Sequence, residues 1–186
     1  MQKRIFVITG APGTGKTTIR DYLTEHFNAK KVITHTTRQP RDNEKNGRDY
    51  YFESNETFFN FHYLEHVEYD RHYYGSSREA IDVAWADSEN ATIVLDTAGA
   101  ITYSTELPKE TVVLYLCVSD TQILKDRLTK RGDTVKNRSL RLDSGEAKRD
   151  MELPVELEGI AHIIINDNLD DAKKQINSLI ASLDKG

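Results

Sequence analysis

Cysteine is nearly missing from this chain: Cys117 stands alone among 186 residues, so no disulfide within the chain can hold the fold together. It falls in the apolar run Val112–Val118, which marks it as a small core residue on a buried strand. Long apolar runs are missing as well, and no stretch approaches the ~20 apolar residues of a membrane span. The N-terminal Met1-Gln2-Lys3-Arg4 is basic, but the run behind it, Ile5–Ile8, is too short for a secretory core segment. A cytoplasmic protein without membrane association is the expectation. Nor is there an excess of positive charge: 25 Lys and Arg against 30 Asp and Glu give a formal net charge of −5. Proteins built to hold nucleic acid are usually basic, so bulk nucleic-acid binding is disfavoured. Internal repeats and low-complexity tails are absent. Hydrophobic residues at 38% suffice for a core, and the length suits one domain with room for a small insert.

What is present is an alternation of short apolar strands and amphipathic helices. Ile5–Ile8 ends at Thr9-Gly10, as a buried strand would. Ile19, Leu23 and Phe27 recur four apart, which predicts a helix over 17–27. Further strands are predicted at 31–34, 91–95, 111–118 and 162–165. Helices are predicted at 120–128, with Asp120 or Thr121 as N-cap, and at 170–183, where Ala172, Ile176, Leu179, Ile180 and Leu183 share a face. This rhythm predicts an α/β fold of three layers, its parallel central sheet covered on both sides. Two regions break it. Residues 35–80, rich in Tyr, Phe, His and charge, read as a small insert with strands of its own. Residues 132–159 are polar and basic, lack periodicity and contain Pro154, and read as a lid. The core is then 1–34, 81–131 and 160–186.

The chemistry begins at Gly10-Ala11-Pro12-Gly13-Thr14-Gly15-Lys16-Thr17, which satisfies G-x-x-x-x-G-K-[ST], the phosphate-binding loop of P-loop NTPases. Glycines let the backbone wrap closely, so that successive amides point at phosphate oxygens. Lys16 supplies a cation for the β- and γ-phosphates, the Thr17 hydroxyl a ligand for Mg²⁺, and the helix that follows, through Thr18, its positive end. The motif lies between a predicted strand and a predicted helix, the context it requires. Asp96 ends the strand Thr92-Ile93-Val94-Leu95, where a carboxylate is placed to hold Mg²⁺ directly or through water. The bland reading of Asp96 is a turn residue capping the next segment.

Asp96-Thr97-Ala98-Gly99 also matches D-x-x-G, the γ-phosphate sensor of small GTPases. Such a switch needs an [NT]-K-x-D element to read guanine. Thr129-Lys130-Arg131-Gly132-Asp133 is one residue too long, and Asn166-Asp167 has no lysine. A kinase for a phosphorylated acceptor explains more of the chain. Arg38 and Arg41, three apart in Thr34-His35-Thr36-Thr37-Arg38-Gln39-Pro40-Arg41, can fork onto a phosphate. Asp49-Tyr50-Tyr51-Phe52, Leu64-Glu65-His66 and Tyr73-Tyr74-Gly75-Ser76 follow.

In these segments the sequence resembles the guanylate kinase family. That family's T-T-R-x-P-R stretch, its G-x-D-Y segment, its Glu nine residues before the last Tyr of Y-Y-G-[ST], and its R-G at the lid all occur in order. The resemblance covers essentially the whole chain. It implies ATP-dependent phosphorylation of GMP or dGMP, with Mg²⁺, by direct in-line transfer, in a monomer or homodimer. It further implies that Arg38, Arg41, Tyr50 and Tyr74 hold the GMP phosphate, that Glu65 accepts from guanine N1–H and N2–H₂, and that Thr34 and Ser76 hydrogen-bond the base. Asn166 falls near the adenine of ATP. Lys16, Arg41, Arg131 and Arg141 would stabilise the moving phosphoryl group, with Arg138 and Arg149 as rival lid arginines. Each residue has a bland rival: strand aromatics for the tyrosines, surface charges for Glu65 and the arginines.

The sequence also departs from the family. Ala98 stands near the place of a second guanine-reading acid, Thr34 replaces the usual Ser, and Pro154 interrupts what should be a helix. Nine Lys and Arg between Lys125 and Arg149 surround the lid. Two other classes remain open at this level: a P-loop kinase for a different nucleotide or phosphorylated acceptor, and a non-catalytic guanylate-kinase-like module that binds protein.

Overall fold

The computed structural model describes residues 2–130 and 149–185. Its centre is β1 (Arg4–Thr9), whose side chains from Ile5 to Ile8 are all inaccessible to solvent. Because successive residues of a strand face opposite sides, Ile5 and Val7 enter one core and Phe6 and Ile8 the other. That is why the strand reads as an unbroken apolar run. Around it, β2 (Lys30–Lys31), β7 (Asn90–Val94), β8 (Thr111–Cys117) and β9 (His162–Ile165) make a five-stranded sheet in the order β2-β7-β1-β8-β9, every pairing parallel.

On one face lie α1 (Lys16–Phe27) and α6 (Leu169–Leu183), which bury Ile19 and Leu23 and Ala172, Ile176 and Ile180 against Phe6, Ile8, Leu114 and Leu116. On the other lie α3 (Arg78–Asp87) and α4 (Thr97–Glu106), which bury Ala80, Ile81 and Ala84 and Ala100 and Tyr103 against Ile5, Val7, Ile93 and Val113. The α5 helix (Thr121–Lys130) follows β8. This is the three-layer α/β architecture the sequence predicts, with boundaries shifted by a residue or two. Cys117 ends β8 partly exposed rather than sealed in the core.

The predicted strand 31–34 does not exist as one element. The chain leaves the main sheet after β2, with the Val32 amide still bonded to the Thr92 carbonyl, and joins a second sheet as β3 (His35–Thr36). That sheet, in the order β4-β3-β6-β5, adds β4 (Tyr51–Phe52), β5 (Tyr63–Tyr69) and β6 (His72–Ser77). β5 and β6 form a hairpin whose turn residues Asp70 and Arg71 are both left-handed, with φ of 49° and 61°, the geometry that matches the twist of paired strands. A four-residue helix α2 (Asn55–Phe58), capped by Ser54, sets the fully buried Phe58 ring against Tyr63 and Tyr73, with centroids 4.4 and 5.4 Å away. The crossing at 32–34 places Thr34 at the seam between the two sheets. No helix of the described residues is long and apolar enough to cross a membrane.

Candidate active site

The loop from Gly10 to Thr17 joins the end of β1 to the start of α1. Gly10 has φ of 123°, and a Cβ there would sit 2.1 Å from the Leu116 carbonyl oxygen, so β8 forbids any side chain. Gly15, at φ 95°, has a backbone that favours glycine, and a Cβ would also crowd the Asn166 side chain, with Nδ2 at 2.5 Å. The loop is pinned from two directions. The buried Thr14 hydroxyl donates to the Ala11 carbonyl at 2.8 Å, and Asn166 Nδ2 donates to the Thr14 carbonyl at 2.7 Å. Helix α1 starts at Gly15 without a side-chain cap, with Thr17 and Thr18 exposed in its first turn, so its leading amides are left to an anion. Lys16 Nζ folds over the loop and donates to the Gly10 and Ala11 carbonyls, the latter at 3.0 Å. Burial holds its ammonium below the usual lysine range, against the pull of Asp150 and Asp96.

Lys16 faces a cleft of about 440 Å³ between the loop and the second sheet, lined also by Thr34, Tyr50, Glu65, Tyr74 and Asp96. A neighbouring cavity of about 320 Å³ shares Thr34 and Tyr50 and adds Thr17. Residues far apart in sequence therefore converge on one volume. Glu65 projects from β5, and burial pushes its carboxyl upward, opposed by a hydrogen bond from the Ser76 hydroxyl at 2.8 Å and reinforced by the Asp96 charge. Ser76 itself is sealed from solvent; its hydroxyl serves Glu65 rather than opening to the cleft. Tyr50 and Tyr74 meet edge to face, with centroids 6.3 Å apart.

The two arginines are held differently. Arg38 lies over the Tyr50 ring, 5.5 Å from its centroid, and Nη2 donates to both Glu44 carboxylate oxygens at 2.9 Å. Glu44 also accepts the Arg41 amide at 2.8 Å, while the Arg41 residue is exposed. Glu44 thus folds the segment between the arginines into a tight loop.

Asp96 does two things at once. Its Oδ1 accepts the Gly99 amide at 2.8 Å and caps α4, as the bland reading of its sequence position has it. Its Oδ2 takes Arg149 Nη2 at 2.6 Å. Next to Arg149, the buried Asp150 accepts the Thr97 amide and hydroxyl, at 3.1 and 2.7 Å. Arg131, Arg138 and Arg141 lie outside the described residues; among the described ones, Arg149 reaches the cleft's edge through its bond to Asp96. Asn166 is buried behind the loop, and its Oδ1 has no hydrogen-bond partner among the described residues. Its backbone carbonyl accepts Arg127 Nη2 at 2.7 Å.

Sequence reasoning passed over Glu44, Asp150, Val67 and Tyr69. The last two line the cleft beside Glu65 because residues 65, 67 and 69 share one face of β5, a period-two signal that was available. Glu44 and Asp150 carry no such signal: their roles come from loop closure and from a contact across 53 residues.

Among known proteins, a family model described as guanylate kinase matches residues 2–183. A guanylate kinase of Chlamydia felis is 32% identical over 183 residues, covering 95% of this chain and 86% of its own length. One from Thermus thermophilus is 33% identical over 178 residues, covering 92% and 78%. The crystal structure of guanylate kinase from Anaplasma phagocytophilum superposes with a TM-score of 0.67 at 20% identity, over 97% of this chain and 85% of that one.

Proposed function

The chain belongs to the guanylate kinase family, and from that premise we propose how its own residues divide the work of phosphorylating GMP with ATP. The observation that carries the proposal is the cleft itself: the P-loop lysine and a half-buried carboxylate, Glu65, open onto one volume together with Thr34, Tyr50 and Tyr74. A cation for the donor phosphates and an acceptor pair for a base lie within reach of one substrate pair.

ATP takes the loop, its phosphates on the amides of residues 10–18 and on Lys16, which leaves its two carbonyl partners to meet them. Asn166 Oδ1, a buried acceptor without a partner among the described residues, suits the exocyclic amine of adenine. GMP takes the second sheet. Glu65 accepts from guanine N1–H and N2–H₂, Thr34 adds its hydroxyl, and Ser76 acts through Glu65. Arg38, Arg41, Tyr50 and Tyr74 hold the GMP phosphate, with Glu44 setting the arginine loop. The acceptor oxygen of that phosphate is ionised at neutral pH and attacks the γ-phosphorus as its bond to the ADP oxygen breaks. No side chain needs to remove a proton. Catalysis is alignment and charge neutralisation. Lys16 supplies the latter, with Arg41, Arg131 and Arg141 as the further cations of this reading.

The residues present fit Mg²⁺. The exposed Thr17 hydroxyl and Asp96 are hard oxygen donors, few in number, which suits an ion that keeps phosphate oxygens and waters as its remaining ligands. When bound, it neutralises charge on the donor phosphates. Asp96 Oδ2 would then exchange its Arg149 partner, freeing that guanidinium for phosphate. A cytoplasmic location, where both nucleotides are available, goes with this reading.

The test is ADP release with ATP, Mg²⁺ and a panel of nucleoside monophosphates. Release that depends on GMP or dGMP is the expected result. GTP hydrolysis without an acceptor, or equal rates with every monophosphate, would overturn the assignment.

A further inference from the structure

His35, the first residue of β3, is buried, engaged at both ring nitrogens and unused by the reaction above. Nδ1 meets Glu53 Oε1 at 3.2 Å, and Nε2 meets the Ser77 hydroxyl at 2.9 Å. Burial holds the imidazole below the ordinary histidine range, against the pull of Glu53 and Glu79, so it is neutral at neutral pH. The partners then assign its proton: the Glu53 carboxylate takes Nδ1–H, and Nε2 accepts from Ser77. The rings of Tyr51 and Phe61 lie against it, with centroids 5.0 and 4.3 Å away. Serine, histidine and glutamate in this order have the make-up of a hydrolytic triad. Ser77 is fully sealed, however, and its oxygen also accepts the Ala80 amide at 3.1 Å to cap α3. No substrate reaches such a nucleophile, so these bonds serve position. The chain enters the second sheet at 32–34 and leaves it at Ser77, where β6 gives way to α3 on the core. His35 and Ser77 stand at these two crossings, and their side chains join them. The backbone ladder between β3 and β6 pairs Thr36 with Tyr74 and His35 with Gly75 and ends there. The side-chain bond carries the tie past that end. Side chains alternate along β6, so Tyr74 and Ser76 share one face and Ser77 lies on the other. Thr34, Tyr74 and Glu65 line the cleft, and Ser76 bonds Glu65. His35 instead lines a separate cavity of about 290 Å³ with Tyr51, Glu53 and Phe61.

We propose that His35 is a positioning residue for base recognition: by bridging Glu53 to Ser77 behind the base site, it locks β3 against β6 where their ladder ends, and so holds Thr34, the residue before it, in register with Ser76 and the Glu65 that Ser76 bonds. The inference rests on the guanylate kinase reading given above. Guanine has to meet Thr34 and Glu65 at once, and hydrogen bonds weaken steeply when their angles open. A small rotation of β3 on β6 therefore costs the base its contacts. The ATP loop lies outside both strands and keeps its shape. Arg38 and the Arg41 amide are held by Glu44 rather than by this tie.

The test is the ratio of kcat/KM for GMP to that for AMP, in which any loss of folded protein cancels. His35→Phe keeps a ring among the aromatic neighbours and cuts both bonds. The ratio should fall roughly three- to tenfold, through the KM for GMP, with the ATP KM unmoved. Ser77→Ala removes one hydroxyl, and it keeps the proposal testable if the Phe variant does not fold. It loses the α3 cap as well, which lowers the unfolding midpoint but leaves the ratio alone. Cutting the same tie, it should lower the ratio by a like factor, and the two changes together should do no more than either alone. A lowered midpoint with an unmoved ratio in both variants would make His35 a structural residue only and overturn the proposal, as would additive effects on the ratio. An unmodified protein without preference for GMP would strike the substrate assignment, and this proposal with it, before any variant is made, so the two failures are distinguishable.

Discussion

Asn166 Nδ2 donates to the Thr14 carbonyl at 2.7 Å, tying the residue that follows β9 to the phosphate loop across the bare face of Gly15. The bond joins positions 152 residues apart and holds the Asn166 amide where a Cβ on Gly15 would crowd it, adding to the positive φ that already favours glycine there. Asn166→Ala leaves the Thr14 carbonyl without this donor in a buried place. The expected loss is about 1–3 kcal/mol of stability, or about 2–4 °C in unfolding midpoint per kcal/mol for a chain of this size. The KM for ATP should rise more than kcat falls, since the amide cradle loosens and the proposed adenine acceptor goes with it. Thermal unfolding and an ATP titration check this; an unmoved midpoint together with an unmoved ATP KM would contradict it.

Lys16 sits against two loop carbonyls with its ammonium disfavoured by burial. Lys16→Met keeps the stem and removes the charge, so the fold should be no less stable. Turnover, by contrast, should drop about a hundred- to ten-thousandfold, because the lost cation acts on charge that is present in the transition state. A variant with near-normal kcat would exclude the phosphate role.

Arg149 is paired with Asp96 on a partly open surface, where the two side chains are 44% and 36% exposed. Such a pair contributes about 0–1 kcal/mol. Arg149→Ala should therefore leave the unfolding midpoint nearly unchanged, since the Thr97–Asp150 contacts remain. If Arg149 turns to phosphate when Mg²⁺ takes Asp96, kcat should fall about tenfold or more. Circular dichroism melts and steady-state rates separate the two effects. A purely structural pair would show the reverse: a lowered melt and an intact kcat.

The parts legible in the sequence are those whose causes are local. The P-loop is a contiguous motif between an apolar strand and an amphipathic helix. β1 announces a sheet covered on both sides, and α6 shows its buried face through Ala172, Ile176 and Ile180. Helix α3 carries a buried face in Ala80, Ile81 and Ala84 that the sequence reading left unused, whereas α4 is silent. α4 is made of Thr, Ala, Gly, Ile, Tyr and Ser with little amphipathic contrast, and is held by the Asp96 cap and by Tyr103 in the core. β3 has two residues, too few for any period, and exists because it pairs with both β4 and β6. Of the site residues, Glu65 is marked by no pattern of its own; the family resemblance singles it out, and the structure supplies the burial and the Ser76 bond. Asp150 lies in an aperiodic stretch, and only the fold carries it to Thr97.

Glu65 offers a test in which stability and function move in opposite directions. Its folded-state carboxyl titrates above the ordinary glutamate range, chiefly because burial penalises the charge. A raised acid binds its proton more tightly in the folded state, so its favourable contribution is full below the unfolded pKa. That contribution is lost as pH rises through the folded one. Glu65→Gln removes this titration, so the variant should gain stability relative to the unmodified protein at neutral pH and lose that advantage in acid. Function should go the other way. Guanine presents N1–H and N2–H₂ on one edge, and a carboxylate offers two acceptors to match. Gln replaces one acceptor with a donor that faces a donor. Adenine presents a lone pair at N1, so the unmodified site should reject AMP by roughly a hundredfold or more, because a buried charge is left unpaired. The kcat/KM for GMP should fall by a similar factor, roughly a hundredfold, in Glu65→Gln, while the KM for ATP stays put. Melting curves at pH 4 and pH 8, with kcat/KM for GMP, dGMP, AMP, CMP and UMP in both proteins, decide it. A variant that keeps its GMP efficiency would remove Glu65 as the guanine reader while leaving the P-loop chemistry untouched.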